Sequence, residues 1–367
     1  MPSANVNWPI PIIRQKPFYP GTYGVPGTDH TRGQRSDANG VVFYVDPNAS
    51  GVSDLRDGTD PEGPLQTVGK ALSLCRPYMN DVIAVMPNAW WTYADVTQGR
   101  ATPVTEQVTV DVPGVRIVGV MPASAIGVPW MGTANDGVLI TVNAIDVVIE
   151  GFCFWNSVYT GGTAIQGVWT GGGVAYGDNL VVRHCFFYTD LDYGVSLDFC
   201  YNSYVEDCYF QGIGVAAINN LGTHGDPDWL VVRRNIFTSC AVAIDLDDSD
   251  LIVVEDNEML LCPTGISANG ASYCKFQRNI INTTVASGVV AIDGAGNSEC
   301  MIHANVIHGD PAGTNNLIDL AGGGSNMVTD NWLSCSVAQY DTTCSDATSG
   351  QWVNNHCTDG DPVAPPT

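Results

Sequence analysis

Residues 231–240 read VVRRNIFTSC, and this short strand-like stretch is one copy of a unit that recurs along the chain. Each copy has a residue equivalent to Asn235. From Cys185 onward, these equivalent residues are separated by 23, 27, 22, 22, 26 and 26 residues. A near-constant period of this length is typical of a solenoid. The other copies are RIVGV (116–120), VVIEGFCF (147–154), VVRHCFF (181–187), YVEDCYF (204–210), VVEDNEM (253–259), KFQRNII (275–281), MIHANVI (301–307) and MVTDNWL (327–333).

Each period also contains a second strand-like phrase. These phrases are GVSL (194–197), GVAAI (214–218), AVAI (241–244), GISA (265–268), GVVAI (288–292) and NLIDL (316–320). Turns rather than helices separate the phrases, and the leucine pattern of leucine-rich repeats is absent. The sequence therefore predicts an all-β fold, a single-stranded parallel β-helix.

Stacking of such coils explains why particular residue types recur. Equivalent positions of neighbouring coils lie about 4.8 Å apart. We expect one apolar column, made of Val182, Val205, Val232, Val254, Phe276, Ile302 and Val328. We also expect an asparagine ladder at a bend, where asparagine tolerates a left-handed backbone. Its members are Asn235, Asn257, Asn279, Asn305 and Asn331. A row of ligand-binding amides is the functional alternative.

Composition limits the classes of partner. The chain has 367 residues, 40 of them glycine and 21 proline, and a net charge of −24. Because so acidic a body repels phosphates, we expect no nucleic-acid partner. The sequence contains no run of about 18 uncharged apolar residues and therefore predicts no membrane span. We expect no membrane partner. The start, MPSANVNWPIPIIRQ, lacks the apolar core of a secretory signal.

Four segments are predicted along the chain. Residues 1–40 are an extended, proline-rich arm, and residues 41–107 contain an N-terminal strand and a capping helix. Residues 108–335 form the parallel β-helix, and residues 336–367 form a C-terminal cap or tail. The helix is expected within residues 63–77, with Val68, Ala71, Leu72 and Leu74 on roughly one face and Pro77 after its end.

The arm differs in charge from the rest of the chain. Residues 1–36 carry a balance of +3, which leaves −27 for residues 37–367. The arm either folds back along its own body or docks on a partner protein. The candidate partner-binding residues are its aromatic and cationic side chains, Trp8, Arg14, Lys16, Phe18, Tyr19, Arg32 and Arg35.

Most of the twelve cysteines follow the repeat. Cys185 and Cys208 share the ladder position, Cys240 and Cys262 follow it by five residues, and Cys274 and Cys300 precede it by five. Adjacent coils bring such pairs within bridging distance, but parallel side chains suit a disulfide poorly. We therefore expect free stacked thiols inside the coil. Disulfide candidates lie instead in the C-terminal segment, at Cys335, Cys344 and Cys357.

No set of catalytic residues emerges from the sequence. Acids cluster in TDLDYGVSLDF (189–199) and DLDDSD (245–250), and inverting glycosidases use such paired carboxylates. The histidine and arginine motifs of polygalacturonases, however, are missing or out of order. Arg183, Arg233, Arg234 and Arg278 are expected in strands, the first two at equivalent outward positions. An exposed β-face explains them without catalysis.

One stretch matches a calcium-binding loop. Asp46, Asn48, Ser50, Asp54 and Asp57 fit ligand positions 1, 3, 5, 9 and 12, and Gly51 fits the turn position. The loop departs from the pattern in its final aspartate and in lacking a flanking helix pair. A turn-rich linker explains the same residues, so calcium is a possible cofactor and the sequence suggests no other.

The phrases FYVDPNASG (43–51) and GTDPEGPLQTVGKAL (58–72), followed by N-x-[IVF] coils, resemble the right-handed β-helix proteins of the pectate-lyase-like superfamily. The resemblance spans about residues 41–335 and is strongest to β-helix proteins of tailed phages. It implies a right-handed coil, a homotrimer, and a location in the virion after assembly in the host cytoplasm.

The resemblance also implies a function. The expectation is a non-enzymatic capsid decoration whose arm binds a major capsid or tail protein. The alternative is a tailspike-like β-helix that binds or depolymerises a host surface polysaccharide.

Overall fold

The repeated segments form short parallel strands that pair in register. Val182 lies opposite Val205, Val205 opposite Val232, and Val232 opposite Val254. All four side chains are buried. The predicted apolar column is therefore confirmed, because the period-2 alternation of each strand turns the same position of every coil inward.

The computed structural model describes residues 40–49, 51–86, 103–120, 127–132, 137–155, 161–168, 177–220, 227–283, 290–309, 316–335, 339, 344–345 and 351–360. Within these residues the strands form three parallel sheets, which enclose one apolar core. The chain is an all-β, right-handed parallel β-helix, as predicted, and its described ranges contain one short helix.

Sheet A has twelve strands in the described part of the chain. They are β1 (Val42–Val45), β2 (Val82–Val85), β4 (Arg116–Gly119), β7 (Val148–Glu150), β10 (Val181–Arg183), β13 (Tyr204–Glu206), β16 (Val231–Arg233), β19 (Val253–Glu255), β22 (Lys275–Gln277), β25 (Met301–His303), β28 (Met327–Thr329) and β31 (Gln351–Val353). Sheet A thus continues on both sides of the coil predicted at 108–335.

Sheets B and C complete each coil, with nine and ten strands among the described residues. Sheet B contains β5 (Val128–Met131), β8 (Phe152–Trp155), β11 (Phe186–Phe187), β14 (Tyr209–Gln211), β17 (Ile236–Thr238), β20 (Glu258–Leu260), β23 (Ile280–Asn282), β26 (Val306–His308) and β29 (Trp332–Leu333). Sheet C contains β3 (Val108–Val110), β6 (Val138–Val142), β9 (Thr163–Gly167), β12 (Tyr193–Leu197), β15 (Ala216–Asn220), β18 (Val242–Asp245), β21 (Thr264–Ser267), β24 (Val290–Asp293), β27 (Asn316–Asp319) and β30 (Cys344–Ser345).

The predicted helix is present as α1 (Val68–Leu74). Thr67 caps its N-terminus, since the Thr67 hydroxyl accepts a hydrogen bond from the Lys70 N–H. Val68, Ala71 and Leu72 are buried, as expected from their helical spacing. The helix therefore packs an apolar face against the first coils.

The asparagine ladder is confirmed as a continuous hydrogen-bonded stack. The Asn279 side-chain oxygen accepts from the backbone N–H of Asn257 at 3.1 Å and from its side-chain amide at 3.0 Å. The Asn279 amide donates in turn to the Val254 carbonyl and to Asn305. The ladder extends one coil beyond the prediction, because Asn331 donates to Asn355.

The left-handed backbone at this bend belongs to a different residue from the one predicted. The residue before each ladder position has φ between +52° and +58°, while the ladder asparagines are not among the residues with positive φ. The bend residues are His184, Asp207, Arg234, Asp256, Arg278, Ala304, Asp330 and Asn354. Arg234 and Arg278 accordingly lie at bends and not in strands. The asparagines recur because their side chains satisfy buried backbone groups.

All twelve cysteines are buried, and none forms a disulfide bond. The stacked pairs are confirmed; for example, the Cys274 N–H donates to the Cys300 sulfur at 3.4 Å. The C-terminal cysteines also form no disulfide bond, contrary to the prediction. Cys335 and Cys357 are thiols with their sulfurs 3.4 Å apart, and Cys344 lies opposite Ile318 in sheet C. These residues continue the stacked coils, so their side chains are buried thiols like those of the preceding coils.

Acidic and basic side chains alternate on the outer face of sheet A. Glu150, Arg183, Glu206, Arg233 and Glu255 occupy equivalent positions of five successive strands. Arg183 donates to Glu150 at 2.6 Å, and Arg233 contacts Glu206 at 2.6 Å. Burial raises the pKa of Glu150, but the charges of Arg183 and Arg116 outweigh it and lower that pKa overall. We call these five residues the charge ladder.

Candidate functional site

The outer face of sheet C carries a row of polar side chains that lie in register. Their inward neighbours, such as Ile218, Ile244 and Ile266, are fully buried, and strand alternation therefore turns the polar residues outward. We call this row the outer polar column. It consists of Thr141, Gln166, Ser196, Asn219, Asp245, Ser267, Asp293 and Asp319.

Burial and neighbouring carboxylates raise the pKa values of Asp245 and Asp293 in the column. Burial raises the pKa of Asp245 to about 6, and the charges of Asp247 and Asp293 add to this increase. Burial also raises the pKa of Asp293, with contributions from the charges of Asp319 and Asp247. The column therefore concentrates negative charge in a partly desolvated setting, where each ionised carboxylate disfavours ionisation of the next.

Asp247 and Asn269 connect the column to the adjoining turn. The Asp247 carboxylate accepts hydrogen bonds from the Ser267 hydroxyl and the Asn269 N–H, both at 2.8 Å. The Asn269 side-chain oxygen accepts in turn from the Ala295 N–H at 3.0 Å. These bonds fix Asp247 beside the column, so its charge acts on Asp245 and Asp293 from a defined position.

Two polar groups of the column are buried and have no hydrogen-bond partner among the described residues. They are the Ser196 hydroxyl and the side-chain oxygen of Asn219, whose residues are 1% and 5% exposed. Ser196 lies opposite Asn219, which lies opposite Asp245. Each such group lowers the stability of the folded protein by about 1–3 kcal/mol while it stays unsatisfied. A ligand that donates a hydrogen bond to it would therefore bind more favourably.

The chemistry of the column is that of a hydrogen-bond acceptor surface. Carboxylates accept several hydrogen bonds, and the Asn219 oxygen accepts but cannot donate. Burial raises the pKa of Asp245 to about 6, a value that suits a group exchanging protons near neutral pH. The geometry supports binding of a donor-rich, elongated molecule and is compatible with proton transfer to it.

Sequence reasoning identified part of this site. The acidic cluster DLDDSD contains Asp245 and Asp247, but Asp250 faces elsewhere, since its carboxylate accepts from the Ser272 N–H at a corner. Asp293 and Asp319 were missed as partners of Asp245, although each directly follows the isoleucine of a strand phrase. The sequence signal that locates the column is the residue after this isoleucine, which is replaced by Val195 in the coil of Ser196.

The carboxylates of the predicted calcium loop are bound to backbone groups of the same segment. Asp46 accepts from the Asn48 N–H, and Asp57 from the Thr59 N–H. Asp54 accepts from the N–H groups of Gln66 and Thr67 and thereby supports the start of α1. Ser50 lies outside the described residues. The calcium site stays a prediction, and turn formation accounts for the contacts that are described.

The described ranges contain no group of three or more histidine, cysteine, aspartate or glutamate side chains arranged to hold a metal ion. Within the same ranges no helix is long and apolar enough to cross a membrane. The predicted partner-binding residues of the arm, from Trp8 to Arg35, lie outside the part of the chain that the structure describes.

Comparison with known proteins gives one family match. The family model described as "Periplasmic copper-binding protein (NosD)" matches residues 133–333. No curated protein matches the chain.

Several solved structures are similar to this chain at low sequence identity. A DFA-IIIase from Arthrobacter chlorophenolicus A6, without its lid and in complex with GF2, is 12% identical with a TM-score of 0.53, covering 77% of this chain and 80% of its own. A rhamnogalacturonan lyase is 13% identical with a TM-score of 0.51, covering 86% and 87%. The Dettilon tailspike protein is 11% identical with a TM-score of 0.49, covering 86% and 68%. Identities this low establish a shared fold alone.

Proposed function

The chain belongs to the NosD family, whose model matches more than half of it, and we propose that it is a polysaccharide-binding β-helix with its ligand along the outer polar column. The observation that carries this proposal is the in-register column itself, with its two buried, unsatisfied groups at Ser196 and Asn219. Equivalent side chains repeat about every 4.8 Å, so the column offers the same kind of contact repeatedly to an extended polymer.

The similar structures accord with this proposal. They include a rhamnogalacturonan lyase, which is named for a polysaccharide, and it shares the solenoid on which the column is built. Elongated β-solenoids present long, regular surfaces, and such surfaces suit elongated ligands.

Copper is not part of the proposal, although the family description names it. The described residues offer no cluster of three metal-binding side chains. The described cysteines are buried, and burial raises the pKa of Cys75 and of Cys200 to about 12. Since a cysteine binds a metal ion as its thiolate, Cys75 and Cys200 are poorly suited to bind copper and do not fit a copper site.

We predict that substitutions in the column weaken polysaccharide binding. Asn219→Ala and Asp293→Asn should each reduce the affinity for the best oligosaccharide of a panel by about tenfold, or about 1.4 kcal/mol. Isothermal titration calorimetry measures the affinity, and an assay for new reducing ends tests for cleavage.

The matched control is Asp60→Asn. Asp60 is exposed and accepts a hydrogen bond from the Glu62 N–H, a bond that asparagine retains. Its affinity should equal that of the wild type. The proposal fails if no oligosaccharide binds, or if the column variants bind as well as the control. Release of reducing ends would make the column catalytic, and binding without release would make it a recognition surface.

A second, compatible proposal concerns location. The charge split between a +3 arm and a −27 body favours a protein that projects from a phage virion, held by its arm on a major capsid or tail protein. Capsid decoration, a homotrimeric state, assembly in the host cytoplasm and contact with a host polysaccharide are all parts of this proposal.

Deletion of residues 1–36 is expected to abolish association with the particle while leaving the body folded. Replacement of Arg14, Lys16, Arg32 and Arg35 by glutamine should weaken association and make it less sensitive to salt. Particle-bound protein is quantified by sedimentation and immunoblotting. Normal decoration by the truncated chain would refute the role of the arm.

A further inference from the structure

Asp245 and Asp293 in the outer polar column differ in their electrostatic surroundings from the acids of sheet A. On sheet A, Glu150 and Glu206 each contact two arginine side chains. At Asp245 and Asp293 the raised pKa reflects burial and neighbouring carboxylates, offset by hydrogen bonds, with no lysine or arginine contribution in the described part of the chain. Asp245 and Asp293 therefore carry negative charge that no described lysine or arginine neutralises.

The two buried, unsatisfied groups extend this acceptor surface. The Asn219 oxygen can only accept, and the Ser196 hydroxyl can accept as well as donate. They precede Asp245 on successive strands and share its outward face. A ligand satisfying all three positions must therefore present hydrogen-bond donors, and positive charge on these donors is favoured at the carboxylates.

We propose that the ligand is a polysaccharide of amino sugars with free ammonium groups, and that the column discriminates against polymers of uronic acids. The inference rests on the proposed function, since it names the substrate class of the same site. An ammonium group donates three hydrogen bonds and neutralises a carboxylate. A uronate would bring a further negative charge next to the carboxylates of the column. Electrostatic repulsion would therefore oppose its binding.

The groups around Asp245 set the expected pH dependence. The neighbouring strands and turns contribute Asn219 from β15, Ser267 from β21, Asp293 from β24 and Asp247 from the following turn. Asp245 ionises near pH 6, so its attraction for an ammonium group increases as the pH rises through that value. Binding of an amino-sugar polymer should therefore strengthen from about pH 5 to about pH 6.5, as long as the amine stays protonated.

The test compares three oligosaccharides of equal length: a glucosamine hexamer, an N-acetylglucosamine hexamer and a galacturonate hexamer. Calorimetry at about pH 6 should show the glucosamine hexamer binding at least about tenfold more tightly than its acetylated counterpart, and no binding of the galacturonate hexamer. Raising the salt concentration should weaken the glucosamine complex selectively.

The double variant Asp293→Asn, Asp319→Asn should lose most of the preference for the amine, with the N-acetylated hexamer little affected. Thermal unfolding verifies that this variant is folded, and the salt dependence of the wild type gives an independent readout. Equal affinity for the amine and its acetylated form, or tighter binding of galacturonate, would overturn the inference and leave the proposed function intact. Binding of no oligosaccharide, from these three or the wider panel, would overturn both.

Discussion

Replacing Asn279 by alanine is expected to lower the free energy of unfolding by about 3–5 kcal/mol. Asn279 is fully buried. Its loss would leave the Asn257 backbone N–H, one N–H of the Asn257 side chain and the Val254 carbonyl without their partners. Each buried group that loses its partner costs about 1–3 kcal/mol, and no water-sized opening is expected to compensate in a close-packed coil.

Urea unfolding followed by circular dichroism measures the change, and amide hydrogen exchange locates it. Exchange should accelerate most in the coils that flank Asn279, because each coil of a solenoid contacts only its neighbours. The control is Ile280→Ala, the adjacent residue, which is 45% exposed. Its cost should stay below about 1 kcal/mol. If both variants lose the same stability, the ladder contributes nothing beyond ordinary strand packing.

Replacing Phe210 by alanine should also cost about 3–5 kcal/mol. Phe210 is fully buried on the inner face of sheet B. Its ring stacks on Phe187 at 4.5 Å and on Phe237 at 4.9 Å, with interplanar angles of 5° and 8°. Truncation removes both contacts and opens a cavity between the two neighbouring rings. The cavity cannot close unless whole coils move.

Phe210→Leu should cost less than the alanine variant, because it retains most of the buried volume. Tyr209→Ala is the matched control: the ring of Tyr209 lies on the outer face of the same strand and is partly exposed. Urea unfolding of the three variants should rank them with Phe210→Ala as the least stable. An alanine variant no less stable than the Tyr209 variant would contradict the packing argument.

The inner columns could be predicted well from the sequence because they depend on one strong rule. A strand buried on one face must place its apolar residues at every second position, and stacking repeats that choice in each coil. Val232 and Phe276 could therefore be assigned to a column from their spacing alone. The asparagine ladder was predicted for the same reason, although its last member, Asn355, follows a less regular segment.

The outer faces were harder to predict, since no single rule fixes their residues. Arg183 and Arg233 were expected outside, but their partners, Glu150 and Glu206, are contributed by neighbouring coils and became apparent only from the register. The outer polar column was missed for a similar reason. Asp293 and Asp319 are distant from Asp245 in sequence, whereas the clustered acids of residues 245–250 suggest neighbours along the chain instead of across it.

The charge ladder has a consequence for the order in which the coils assemble. The inward apolar positions of these strands are nearly identical from coil to coil, so they would allow one strand to pair with the strand of the next coil but one. Such an omission would place Glu150 against Glu206 and Arg183 against Arg233, and like charges in direct apposition are unfavourable. The alternating charges thus distinguish odd from even coils. They favour pairing of each coil with the next coil in the sequence.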